Sequence, residues 1–140
     1  MSTYLQSFAA RFASLDAASL QRLDALYSEA VIFQDPLHRI HGLTALRAYF
    51  ARLYANATDI RYDIHATDEV RPGQGYLRWT LHFRHPRLAG GRSVSVEGCS
   101  HLCWDERVYF HQDYFDAGAL LYEQLPVLGG VIGWLKGRLA

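Results

Sequence analysis

The nine residues Tyr76-Leu77-Arg78-Trp79-Thr80-Leu81-His82-Phe83-Arg84 decide the fold. Leu77, Trp79, Leu81 and Phe83 alternate with polar residues, the pattern of a strand with one face on a core and the other turned outward. Strand character extends on both sides, from about residue 60 to 116. Gly90-Gly91 turns the chain into Ser93–Trp104, and Asp105-Glu106 leads into Val108–Phe115, so two successive hairpins are expected.

The preceding third is helical. Leu5, Phe8, Phe12 and Leu15 recur at helical spacing. Asp16 suits the N-cap of a second helix carrying Leu20, Leu23 and Tyr27. Val31 to Phe33 is a short apolar strand stopped by Asp35-Pro36, because proline lacks an N–H and restricts the residue before it. After Gly42 a third helix sets Leu46, Tyr49/Phe50 and Leu53/Tyr54 on one side. Helices first and antiparallel strands after is the α+β pattern.

The 140 residues suit one domain, and half of them are hydrophobic, enough for a packed core. Lys+Arg and Asp+Glu number 14 each, with no basic stripe, which argues against nucleic-acid binding. The N-terminus lacks the features of a signal peptide, and no apolar run approaches the roughly 18 residues of a membrane span. Cys99 and Cys103, four apart on a strand, would lie about 13 Å apart, too far for a disulfide. Free thiols fit a reducing compartment, and a cytoplasmic location is expected. Residues 117–140 are strongly apolar, broken by Pro126 and Gly129-Gly130, and read as a helical arm over a pocket mouth or on a partner subunit. Trp134 and Leu135 beside Lys136 and Arg138 also suit a membrane surface, a reading that the two glycines and the proline weaken.

The phrase Tyr27-Ser28-Glu29-Ala30-Val31-Ile32-Phe33-Gln34-Asp35-Pro36, then His41-Gly42 and a helix with Tyr49-Phe50, resembles the SnoaL-like and ketosteroid isomerase-like branch of the nuclear transport factor 2-like superfamily. Trp104-Asp105-Glu106 and His111-Gln112-Asp113-Tyr114-Phe115-Asp116 extend the resemblance. It implies a cone-shaped fold, with three helices on a curved, mainly antiparallel sheet. The domain would cover 1–116, with 117–140 as its apolar helical arm. In ketosteroid isomerases the Asp of this Asp-Pro is the general base, which falls on Asp35. The oxyanion-hole tyrosine falls on Phe12, its partner Asp on Ser100 and a further tyrosine on Phe50, while Tyr27 is retained. Losing one oxyanion donor costs about 10²–10³ in rate, so steroid isomerisation by that mechanism is not expected.

The resemblance turns Tyr109, His111, Asp113 and Phe115 toward a pocket walled by Leu77, Trp79, Leu81, Phe83, Val96, Gly98 and Ser100, with Phe12, Tyr27, Phe33 and Phe50 contributed from upstream. Such a wall suits a small hydrophobic molecule. Asp35, His111 and Asp113 are the catalytic candidates, and cofactor-free acid–base chemistry is one expectation: isomerase, cyclase, dehydratase or hydrolase. The other is a non-catalytic ligand-binding or assembly domain, because an Asp before Pro also serves turns and a His–Asp pair also serves packing. Glu97, Cys99, His101 and Cys103 share the opposite strand face and, with His82 and Arg84, read as a homodimer surface. Alternate strand residues about 6.6 Å apart suit zinc poorly, so no metal is expected. His38, Arg39 and His41, before the third helix, read as solvated loop residues, with gating of the pocket or contact with an anionic group near that helix's N-terminus as the alternative. No phosphate loop, nucleophile elbow or dinucleotide fingerprint occurs, and no cofactor is implied.

Overall fold

The computed structural model describes residues 3–117; the expected arm over 117–140 lies, but for its first residue, outside them. Helix α1 spans Thr3–Ala13 and buries Leu5, Phe8, Ala9 and Phe12, the i, i+3, i+4, i+7 stripe its sequence carries. A 3₁₀ turn at Leu20–Arg22 and a single-turn helix α2, Leu23–Leu26, precede strand β1, Tyr27–Gln34. Strand β2 is Arg39–His41 and helix α3 is Leu43–Asn56. Four long strands complete the domain: β3 Thr58–Arg71, β4 Gln74–Arg84, β5 Ser93–Trp104 and β6 Val108–Phe115.

The six strands form one sheet in the order β2-β1-β6-β5-β4-β3. The β1–β6 pair is parallel and all others are antiparallel. Strand β3 carries three register irregularities, between Thr58 and Arg61, Ile64 and Ala66, and Glu69 and Arg71. Bulges of this kind bend and twist a long strand, here one edge of the sheet. The helices pack against the sheet, and the largest buried cluster includes Phe8 and Phe12 of α1, Leu46 and Phe50 of α3, and Leu77, Trp79 and Leu102 from the strands. This is the α+β cone expected from the sequence.

Three local expectations give way. Leu20 to Tyr27 is not one helix: Tyr27 already pairs in parallel with Val108, so its burial belongs to a strand. Asp16 accepts the Ala18 N–H at 3.0 Å in a tight turn instead of capping a helix. Arg39–His41, expected in a loop, pairs with Ile32–Gln34 as β2. Gly42 starts α3 at φ 90°, ψ 151°, a conformation open to glycine and to few other residues. Among the described residues no helix is long and apolar enough to cross a membrane.

Candidate functional site

A cavity of about 230 Å³ lies between α3 and the sheet. Phe33, Phe50, Trp79, Leu81, Phe83, Val96 and Phe115 line it, together with Tyr49, Tyr62, Leu53, Ala57 and Ile60. Leu37 and Leu53, both substantially exposed, stand at its mouth. Strand alternation explains the floor, since Trp79, Leu81 and Phe83 are the inward residues of β4. Gly98, opposite Trp79 across the ladder, makes room for the indole: a Cβ there would meet Trp79 Cη2 at 2.3 Å.

Two carboxyl groups, Asp35 and Asp113, reach this largely apolar wall. Asp35 sits in the turn between β1 and β2, its side chain 4 % exposed. Its Oδ1 accepts the backbone N–H groups of Leu37 at 2.8 Å and His38 at 2.7 Å, the bonding of an Asx turn. His38 Nδ1 lies 3.1 Å from the same oxygen, and the Tyr49 hydroxyl donates to Oδ2 at 2.9 Å. His38 is thereby drawn to the cavity wall, although half its side chain remains in solvent, so the solvated-loop reading covers only part of its role.

Asp113 is held by side chains. Ser100 Oγ donates to its Oδ1 at 2.5 Å, and His111 Nε2 lies 2.6 Å from the same atom. Trp79 Nε1 donates to Ser100 Oγ at 2.9 Å, which orients the serine hydrogen toward the carboxylate. Tyr27 Oη lies 2.8 Å from His111 Nδ1. A carboxylate only accepts, so His111 carries its proton on Nε2, leaving Nδ1 to accept from Tyr27. Two donor chains, Tyr27–His111 and Trp79–Ser100, thus converge on one oxygen. His111 is 2 % exposed and Asp113 is 16 % exposed, so the histidine stands behind the carboxylate.

The tyrosines register this environment. Burial, then the charge of Asp113, pushes the Tyr27 and Tyr62 phenols well above their ordinary range. Burial, then the charge and hydrogen bond of Asp35, does the same to Tyr49. Tyr54 is pushed up to about 12, mainly by burial.

Six residues expected to face the pocket are placed elsewhere. Phe12, Leu77 and Ser100 line a small void of about 10 Å³, shared with His111 and Asp113. Tyr27 is fully buried against His111, and Gly98 serves as the niche for Trp79. Tyr109 points outward, 47 % exposed: Trp104 pairs with Val108 but Cys103 with Phe110, so Tyr109 is the extra residue of a bulge and alternation fails there. Phe12 packs its ring against Tyr62 and Phe50, with centroids 5.3 and 5.8 Å away. Leu37, His38, Tyr49, Leu53, Ala57, Ile60 and Tyr62 are wall residues that sequence reasoning missed. Tyr49 could have been found from its place one helical position before Phe50, whereas the bulges of β3 hide the facing of Tyr62.

On the opposite face His101 stacks on Tyr76 at 4.7 Å, and His82 pairs with Asp63 at 2.8 Å. Cys99 and Cys103 are free thiols whose pKa values burial raises. Among the described residues no group of three or more His, Cys, Asp or Glu side chains is placed to hold a metal ion.

Residues 8–109 match the family described as the SnoaL-like domain. Among solved structures, a Shewanella putrefaciens CN-32 protein assigned as a SnoaL-like polyketide cyclase is similar at 19% identity and TM-score 0.73, over 91% of this chain and 98% of that one. TsrD from Streptomyces laurentii is similar at 20% identity and TM-score 0.72, over 90% and 98%. An M. tuberculosis LEH-like epoxide hydrolase is similar at 17% identity and TM-score 0.70, over 92% and 94%. At these identities the likeness is one of fold. No curated protein sequence matches the chain.

Proposed function

The chain belongs to the SnoaL-like domain family, and from that premise we propose that it binds a compact hydrophobic molecule and moves a proton on it without a cofactor. The observation that carries this reading is Asp113, aimed at an apolar cavity and held on one oxygen by His111 and Ser100. Oδ1 takes both bonds, which leaves Oδ2 to address a ligand. A positioned carboxylate of this kind contributes about 10²–10⁴ to a proton-transfer rate. His111 is a positioning residue that acts through Asp113. Asp35, anchored on both oxygens, is better suited to orient a ligand than to exchange protons.

The reaction class that follows is isomerisation, cyclisation, dehydration or water addition. Similar proteins named as a polyketide cyclase and an epoxide hydrolase support that range. About 230 Å³ is small beside the roughly 300–1,000 Å³ of common ligand pockets, which favours a single ring with a short chain. The backbone ties of Asp35 favour a second reading, a non-catalytic binding domain on the same cavity. Pairing of two copies through the face that carries Glu97, Cys99, His101 and Cys103, and a cytoplasmic location, complete the proposal.

Deuterium exchange tests it. Compact aryl ketones incubated in D₂O and followed by NMR should lose α-protons faster with the protein than in buffer, and Asp113→Asn should remove the gain. Binding of these ketones with no exchange would leave the binding-domain reading.

A further inference from the structure

We propose that the ligand of this cavity is a cation, a compact hydrophobic amine that places its ammonium group between aromatic faces and the two aspartates. This rests on the cavity being the ligand site and adds the charge of what it takes. No Lys or Arg from the described residues lines the wall; its titratable groups besides tyrosines are Asp35, Asp113 and His38. His38 stands half in solvent beside Asp35, and His111 behind Asp113 donates through Nε2 to the oxygen that Ser100 also addresses. Both carboxyls act as acceptors in their bonds to Leu37, His38, Tyr49 and Ser100, so the polar groups at the wall are acidic acceptors.

The same two carboxyls share the cavity with Tyr49 and Tyr62. After burial, Asp35 and then Asp113 raise the Tyr49 phenol, and Asp113 raises that of Tyr62. Tyr49, Tyr62, Phe50, Trp79 and Phe115 line the same cavity, and an aromatic face turned inward attracts a cation through its quadrupole. At a largely apolar wall the two attractions reinforce each other, whereas a carboxylate ligand would meet two acidic side chains with no Lys or Arg beside them. A primary alkyl amine, protonated near neutrality as lysine is, meets this chemistry, and its ring or chain meets the apolar wall.

Three shape-matched probes separate charge from fit: 2-phenylethylamine, 2-phenylethanol and phenylacetate, titrated at pH 7 by ligand-observed NMR against the full chain. The amine should bind at least about tenfold more tightly than the alcohol, with phenylacetate weakest. Asp113→Asn and Asp35→Asn should each reduce that preference for amine over alcohol by at least about threefold. Asn at 35 keeps an oxygen for the Leu37 and His38 N–H groups, so the turn is retained. Equal affinity of amine and alcohol, or preference for phenylacetate, overturns the cation assignment and leaves the cavity reading standing. Binding of none of the three at millimolar concentration overturns both.

Discussion

Asp35 and Asp113 border the same cavity and are supported in opposite ways. Asp35 is clamped by the backbone of its own turn, with both oxygens engaged. Asp113 stands in mid-strand and leans on side chains from β1, β4, β5 and its own strand, all ending at Oδ1. A carboxylate tied to its own turn stabilises local geometry and has little freedom left. One held by a cross-strand network is oriented yet keeps an oxygen for something else. The comparison assigns anchoring to the first and chemistry to the second.

The largest effect expected from that contrast is kinetic. With an exchanging ketone, Asp113→Asn should lower the rate about 10²–10⁴-fold, whereas Asp35→Asn should cost less than about tenfold. Equal losses would erase the distinction. Next is packing behind Asp113: Gly98→Val would press on the Trp79 indole, where even a Cβ lands at 2.3 Å. Overpacking of this kind should destabilise by about 1–3 kcal/mol in denaturant titrations and weaken ligand binding as Trp79 shifts.

Ser100→Ala and Tyr49→Phe sharpen the contrast from either side. The first strands the buried Trp79 N–H and removes a donor to Asp113, for about 1–3 kcal/mol of stability and a loss of exchange rate. The second removes one bond to an aspartate that its backbone still holds, for about 1 kcal/mol and little change in rate. The smallest effect is alkaline. Tyr27, Tyr49 and Tyr62 keep their protons in the fold above the pH, near 10, at which the unfolded chain releases them. The unfolded state then binds fewer protons than the native one, so stability present below about pH 10 should fall above it. Tyr49→Phe should reduce that fall, and chemical unfolding at pH 8 and pH 10.5 would measure it.

The contrast also marks what the sequence could reveal. Asp35 announces itself through Pro36, and the inward face of β4 is legible because nothing interrupts the alternation of Leu77, Trp79, Leu81 and Phe83. Asp113 and His111 can be placed on one face, but Ser100 and Tyr27, which complete the network, lie 13 and 86 positions from Asp113, and no local period encodes such meetings. Where a strand gains a residue, as at Tyr109 or three times along β3, the two-residue rule loses count, so alternation turns Tyr109 inward although it faces out, and it gives no facing for the inward Tyr62. The apolar spacing of Leu20, Leu23 and Tyr27 places Tyr27 on a helix, whereas its pairing partner Val108, 81 residues away, makes it a strand residue.

A crystal structure of the protein soaked with 2-phenylethanol tests the central claim most directly. The account predicts the ring among Phe33, Trp79 and Phe115, with the hydroxyl within hydrogen-bond distance of Asp113 Oδ2 and the Ser100 and His111 bonds to Oδ1 intact. A ring lodged on the outer sheet face, or a hydroxyl inside the cavity with no approach to Asp113, would contradict it.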